Sequence, residues 1–301
     1  MAHQAGPISQ TDILGGTMLP FMFDNMPVRG KLLRLPNLTD QINALESGEQ
    51  EVAHLLAEML AAAVVFAFDL KEKANVSLQI ITDSKLPLLL AKCNHKGVLR
   101  AYAEKAGKLT GPDVEATTLK EGVFTVTVDY GRGSQSYQSV VPINTASIAQ
   151  TVESYFERSA QSPTYFKVFT GVDEDGRSSL GALFLQAMPG TTVEDDDWRR
   201  LGLILGTIQL TEILPGALSD TALLQRLFVE DVVRVFPTQP LTFPHEGNRD
   251  RMLEALRRIG EAECRELLAE DGQIEMTDEY TGCREVFTAA DIDALFAEAG
   301  E

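Results

Sequence analysis

Apolar positions along this chain change their spacing repeatedly, and each change marks a new element. Over 51–71, EVAHLLAEMLAAAVVFAFDLK, the residues after the first turn are apolar nearly all round, which predicts a well-buried helix. The stretch VSLQIIT at 76–82, followed by 87–92 and 98–103, predicts short strands separated by Asp83-Ser84 and by Asn94-His95-Lys96-Gly97. Phe124, Val126 and Val128 alternate with threonines, and Gly131 and Gly133 supply a turn tolerant of positive φ, so this region predicts a hairpin. A helix is expected from Ser147 to Gln161, then strands at 164–170 and 180–188. Strands and helices do not alternate strictly, which favours an α+β fold with a core of β-sheets and packed helices over 1–190.

Beyond that core the period turns helical. In EDDDWRRLGLILGTIQLTEIL the acidic residues at 194–197 suit a helix N-terminus. Trp198, Leu201, Leu205 and Ile208 form one stripe, and Leu203, Ile204, Leu210 and Ile213 widen the apolar surface around it. A helix of that kind needs cover on several sides. A second helix, DTALLQRLFVED, follows Pro215-Gly216, and Pro237 and Pro240 close the segment, so 191–240 is read as a helical linker. The remainder, 241–301, predicts a small α+β module. In it, Asn248 opens one helix, EAECRELLAED makes another ending at Gly272, a hairpin turns near Thr281-Gly282, and Thr288 with Asp291 caps a last helix.

Composition narrows the function classes. Of 301 residues, 44% are hydrophobic, enough for a sizeable core. The net charge of −18 argues against nucleic acid as a partner, because phosphate binding needs clustered lysine and arginine. Residues 241–301 carry 16 acidic against 6 basic side chains, and no lysine follows Lys167. The start, MAHQAGPISQTD, lacks a basic region leading into an apolar one, and the apolar run from Leu60 to Phe68 is too short to span a bilayer. The expectation is a cytoplasmic protein with no membrane association.

Candidate chemistry is sparse. There is no GxSxG, HExxH, P-loop or CxxC, so no catalytic residue is assigned. The histidines at 3, 54, 95 and 245 fall in separate elements. His54 reads as a core or rim histidine, and Cys93 with His95 as a strand end and turn. An enzyme would require an ordered pocket where His54 or His95 meets a nucleophile. Cys93, Cys264 and Cys283 are odd in number and widely spaced, which fits neither a disulfide framework nor a zinc ribbon.

Four separated blocks of sequence carry a further signal: Pro27-Val-Arg-Gly30 before a Leu-rich strand; Glu153-Ser-Tyr-Phe-Glu-Arg-Ser159 with Gln161 and Pro163-Thr164; Gly181-Ala-Leu-Phe-Leu-Gln-Ala-Met-Pro189; and Leu268-Ala-Glu-Asp-Gly-Gln-Ile-Glu-Met276. They resemble the heat shock protein 33 family of bacterial holding chaperones, and the resemblance runs from about residue 11 to 297, with the blocks in the family's order and spacing. It implies an α+β core, a helical linker and a zinc module whose oxidation uncovers apolar client-binding surface. It also implies unfolded proteins as partners, no nucleotide requirement, and a homodimer as an open alternative to the monomer.

The metal pattern departs from the family. His245 and Gly247 stand at the positions of the CxC, and Asp278 and Thr281 at those of the CxxC. Structural zinc takes four thiolate or imidazole ligands, and glycine offers no side chain. No cofactor is therefore expected; a weak site of His245, Asp278 and Cys283, or a Cys264–Cys283 disulfide, is the minor alternative. The expected function is an ATP-independent holdase without the redox switch, with clients bound by Trp198, Leu201, Leu203, Ile204, Leu205, Ile208, Leu210 and Ile213. The rival reading is an adaptor that recognises one partner through the acidic module.

Overall fold

The computed structural model describes residues 13–38, 50–70, 72–106, 119, 122–131, 135–143, 147–159, 161–172, 178–244, 249–277 and 284–297. The chain forms two compact units, the larger spanning Ile13–Phe243 and the C-terminal one beginning at Pro244.

The larger unit is built on two antiparallel sheets. In the first, β1 (Ile13–Phe23), β2 (Val28–Leu35), β9 (Ser178–Ala187) and β8 (Thr164–Val172) lie side by side in that order. The far side of β1 is shared end to end by β10 (Val233–Val235) and β11 (Gln239–Phe243). In the second sheet the order is β5 (Leu99–Glu104), β4 (Leu88–Asn94), β3 (Asn75–Ile81), β6 (Val123–Asp129) and β7 (Tyr137–Pro142).

Helix α1 (Gln50–Ala67) touches strands of both sheets, and α2 (Ile148–Ser159) packs against α1 and β8. From Val52 to Ala67 every α1 residue is buried except His54, as its all-round apolar sequence requires. Its C-terminus is closed from β2, where Lys31 Nζ donates to Val65 O at 2.8 Å and to Asp69 at 3.1 Å, setting a cation against the negative end of the helix. Phe66 stacks on Phe156 of α2 with centroids 4.7 Å apart.

The segment expected as a linker holds α3 (Asp195–Leu205), the short α4 (Leu210–Ile213), α5 (Asp220–Leu227) and β10, all within the larger unit. One expectation needs correction here. The helix read as continuous across the stripe breaks after Leu205, and Gln209 caps α4 reciprocally with Glu212. Pro240, which closes the expected linker, sits inside β11 opposite Thr17 of β1.

The C-terminal unit contains α6 (Arg249–Ile259), α7 (Glu261–Asp271), the pair β12 (Ile274–Thr277) and β13 (Arg284–Phe287), and α8 (Ala289–Ala297). Its core is small: Met252, Leu256, Cys264, Ile274, Phe287, Ile292 and Leu295. Gly272, at φ +75°, ends α7 in the left-handed conformation, as expected of a glycine cap. Thr288 donates both its N–H and its hydroxyl to Asp291, at 2.8 and 2.7 Å, opening α8. No described helix is long and apolar enough to cross a membrane.

Candidate functional site

Paired register positions in a sheet share a face, so the first sheet can be sorted into two. Met18, Leu33, Leu35, Ala182 and Phe184 belong to the core around α1. On the opposite face Leu19, Phe21, Phe23, Val28, Leu32, Leu183 and Leu185 form a second apolar layer. Burial on both faces explains why β9 reads as a near-continuous apolar run and why β2 is buried at every position but Arg29. Gly30 is part of this layer's construction, since a Cβ there would lie 2.1 Å from the Phe21 ring.

The second layer is covered by the linker helices. Leu201, Leu205, Ile208 and Ile213 are buried against it, together with Leu223, Leu224, Leu227 and Phe228. Phe228 meets Phe23 edge to face with centroids 4.9 Å apart. Trp198 and Ile204 are half-buried at its margin, and Trp198 stacks on Tyr165 of β8 at 4.5 Å. Leu203, 70% exposed, and Leu210, 41% exposed, face outward, as do Val229 and Val232. Close approach depends on small residues: a Cβ on Gly181 would lie 2.6 Å from the Ile213 carbonyl oxygen, and one on Gly202 2.6 Å from the Tyr165 hydroxyl.

Polar clamps fasten this cover. Arg34, on the covered face of β2 and about nine-tenths buried, donates to the carbonyls of Leu218 and Glu212 and pairs through Nε with Asp220 at 3.2 Å. Arg200 of α3 grips Asp231 with two bonds of 2.9 and 2.8 Å, and Asn25 in the β1–β2 turn donates to the same carboxylate. The Arg200 hydrogen bonds hold the Asp231 carboxyl below its ordinary range. Arg226 of α5 reaches Glu212 at 2.7 Å and the carbonyl of Thr207 at 3.0 Å, bracing α4 against α5.

Sequence reasoning missed Arg34 and the whole of β1. Gly15, Gly16 and Pro20 interrupt the β1 pattern, yet Pro20 lies where the neighbouring strand changes from β11 to β10 and its carbonyl accepts from Phe236 N. The Leu-rich run of β2 was the available signal, since an arginine inside a strand buried on two sides needs a partner.

Of the three cysteines, the two described ones, Cys93 and Cys264, carry thiols poorly suited to redox chemistry. Cys93 ends β4 inside the first core, and burial pushes its thiol far up. Cys264 is buried in the small unit, where desolvation also raises its pKa and the thiol donates to the Leu256 carbonyl. Buried, protonated thiols react slowly with oxidants. His95 lies in a turn stitched by Asn94, whose side-chain oxygen accepts from Lys96 N and Val98 N.

His54 does meet a hydroxyl, with Nδ1 2.6 Å from Thr170 Oγ1 and Nε2 3.1 Å from Glu58. A pocket of about 190 Å³ adjoins it, lined by Leu38, Ala57 and Ser178 among others. Glu58 also accepts the Ala149 N–H at the start of α2, so the cluster ties α1 to β8 and to α2. The hydrogen bond to Glu58 raises the His54 pKa.

His245, Gly247, Asp278, Thr281 and Cys283 lie outside the described residues. Their chemistry alone does not fit a four-ligand zinc site, since one of the four family positions has no side chain. Among the described residues no group of three or more His, Cys, Asp or Glu is placed to hold a metal. Arg249 gathers the small unit instead, reaching Glu285 and Asp291 at 2.7 Å each while its guanidinium lies 4.4 Å from the Phe287 ring centroid.

An apolar sheet face thus lies under helices tied by ion pairs, and a separate small α+β unit packs a core of its own. The chain belongs to the Hsp33 family, whose model, Hsp33 protein, matches residues 16–288. It is 34% identical over 287 residues to the 33 kDa chaperonin of Pseudomonas aeruginosa, covering 93% of this chain and 94% of that one. To the 33 kDa chaperonin of Escherichia coli it is 31% identical over 272 residues, covering 90% and 92%. The crystal structure of the 33 kDa chaperonin (heat shock protein 33 homolog) of Thermotoga maritima superposes with a TM-score of 0.76 at 22% identity. That match covers 94% of this chain and 98% of the other, and supports the α+β fold.

Proposed function

We propose that this chain is an ATP-independent holdase of the cytoplasm that binds unfolding proteins, and that its trigger is not the zinc-centred thiol switch of its family. Withdrawal of α3–α5 bares Leu19, Phe21, Phe23, Leu32, Leu183 and Leu185, together with the linker's own Leu201, Leu205, Ile208 and Ile213. The observation that carries this reading is the two-sided burial of the first sheet, whose outer apolar layer is covered by short helices, one of only four residues. Short helices have little stability of their own and depend on docking, so the cover is the weakest layer of the unit. Leu203, Leu210 and Trp198 extend the apolar surface at the edge of the cover.

No nucleotide enters this reading, because the chain has neither a P-loop nor a GxGxxG turn. Zinc is also left out. Arg249 with Glu285, Asp291 and Phe287 joins α6, β13 and α8, a link of the kind that a metal supplies in small modules. Incubating reduced protein with a thermally aggregating client, without ATP, tests the reading; the expected result is suppressed light scattering on warming from about 25 to 45 °C. Unchanged scattering across that range refutes it. Metal analysis of purified protein is expected to give substoichiometric zinc, and one equivalent per chain overturns the metal-free reading.

A further inference from the structure

The covered face carries a charge pattern opposite to that of the chain. By register its charged positions among the described residues are Arg34 on β2 and Lys167 on β8, both cationic, whereas the whole chain carries −18. Arg34 lies in the covered layer, beside the position of Gly181 and next but one to Leu32. A buried guanidinium costs several kcal/mol unless each face of its fork finds an acceptor. Here the linker supplies two carbonyl acceptors, those of Leu218 and Glu212, and sets the Asp220 carboxylate 3.2 Å from Nε as an ion-pair partner. Asp220 begins α5, and the two leucines buried in the layer, Leu223 and Leu224, follow it by three and four residues. One turn of helix thus presents the carboxylate to Arg34 and the aliphatic pair to the sheet.

From this complementarity we infer that Arg34 is a selectivity residue for clients as well as a latch, and that the bared face selects apolar segments carrying a carboxylate one helical turn before a pair of aliphatic residues. The inference rests on the proposed holdase role of this face. When the linker leaves, Asp220 and both carbonyls leave with it, and Arg34 stands in an apolar surface without acceptors. A client that is apolar throughout leaves the guanidinium unpaired. A client with the linker's pattern repeats all three contacts.

The test is a double-mutant cycle between protein and peptide. The full-length chain carrying Leu205→Asp and Leu224→Asp serves as the open form, since both changes place carboxylates in the covered layer and expel the helices. The probe is a fluorescent peptide copying residues 208–228 of this chain, with or without Asp220→Asn. With Arg34 present, the Asn peptide is expected to bind about tenfold more weakly than the Asp peptide; after Arg34→Gln the two are expected to differ by less than about twofold. Equal weakening in both proteins, or none in either, overturns the inference. Should the paired aspartates prevent folding, the unaltered chain, warmed until the Asp peptide first binds, gives the same comparison. If the peptides bind nowhere while client aggregation is still suppressed, the inference fails and the holdase reading stands. If the cycle gives the expected coupling but aggregation is not suppressed, the holdase reading fails and the selectivity of the face stands.

Discussion

The two large sheets of the core treat their outer faces differently. In the second sheet, β3 alternates buried Val76, Leu78 and Ile80 with less buried Ser77 and Gln79. In the first sheet, β9 is buried from Ser179 to Ala187 without alternation. Both sheets pack one face on α1, so core formation alone asks for one apolar face from each. The second apolar face of the first sheet is additional, and it exists only together with a cover. That contrast is why the covered face, rather than the acidic surface, is assigned the function.

Placing a charge in each outer face sharpens the contrast most. Leu224→Asp puts a carboxylate in the covered layer and is expected to cost about 3–5 kcal/mol of docking. The expected readout is dye binding to apolar surface and client holding already at about 25 °C, the ordinary reference temperature. Gln79→Asp on the second sheet is expected to stay within about 0.5 kcal/mol of the unaltered chain in thermal unfolding. Equal effects at both sites would break the comparison.

Next in size is a pH effect on the inner face of the first sheet. Burial lowers the Lys31 pKa from 10.5 to about 8, with Asp69 opposing the shift. Between those values the unfolded chain binds the proton that the folded chain has released, so stability rises with pH across that window. The gain is at most roughly 3 kcal/mol, and it is expected to be absent from Lys31→Met. Unfolding by urea at pH values on either side of the window measures it.

The Arg200–Asp231 clamp belongs to the cover. Its carboxyl is held below the ordinary 3.8, so the clamp's contribution is present above that value and is lost as pH falls through the depressed one. Asp231→Asn is expected to loosen the cover by about 2 kcal/mol at neutral pH, read as faster tryptic cleavage within the linker.

The smallest effect is at His54. Its pKa is raised from 6.5, chiefly by the hydrogen bond to Glu58, so its contribution is complete below 6.5 and is lost as pH rises through the elevated value. Since the side chain is nearly half exposed, under about 1 kcal/mol is expected, and His54→Gln should remove the pH dependence.

Much of the fold was legible because period reports burial. The all-round apolar α1, the alternating β3 and β6 and the Thr288–Asp291 cap each follow from residue spacing. What escaped were elements whose stability comes from distant partners. Strand β1 carries Gly15, Gly16 and Pro20, and it is held by β2 on one side and by residues more than 200 positions later on the other. The linker's apolar stripe was visible at Leu201, Leu205 and Ile208, but the surface it lies on was not, since neither β2 nor β9 announces which neighbour covers its second face. Arg34 was unreadable for the same reason: its partners lie 178 to 186 residues away.

The pairing of β10 and β11 with β1 has a consequence for release. The helical cover is anchored at both ends, by β9 before α3 and by the β1 pairing after α5. Once lifted it stays close by, at an effective concentration on the order of millimolar, and competes continuously with whatever has taken its place. Under the proposed holdase role, a bound chain is held against a permanent internal rival, which displaces it as soon as the captive buries its own greasy residues and loosens its grip.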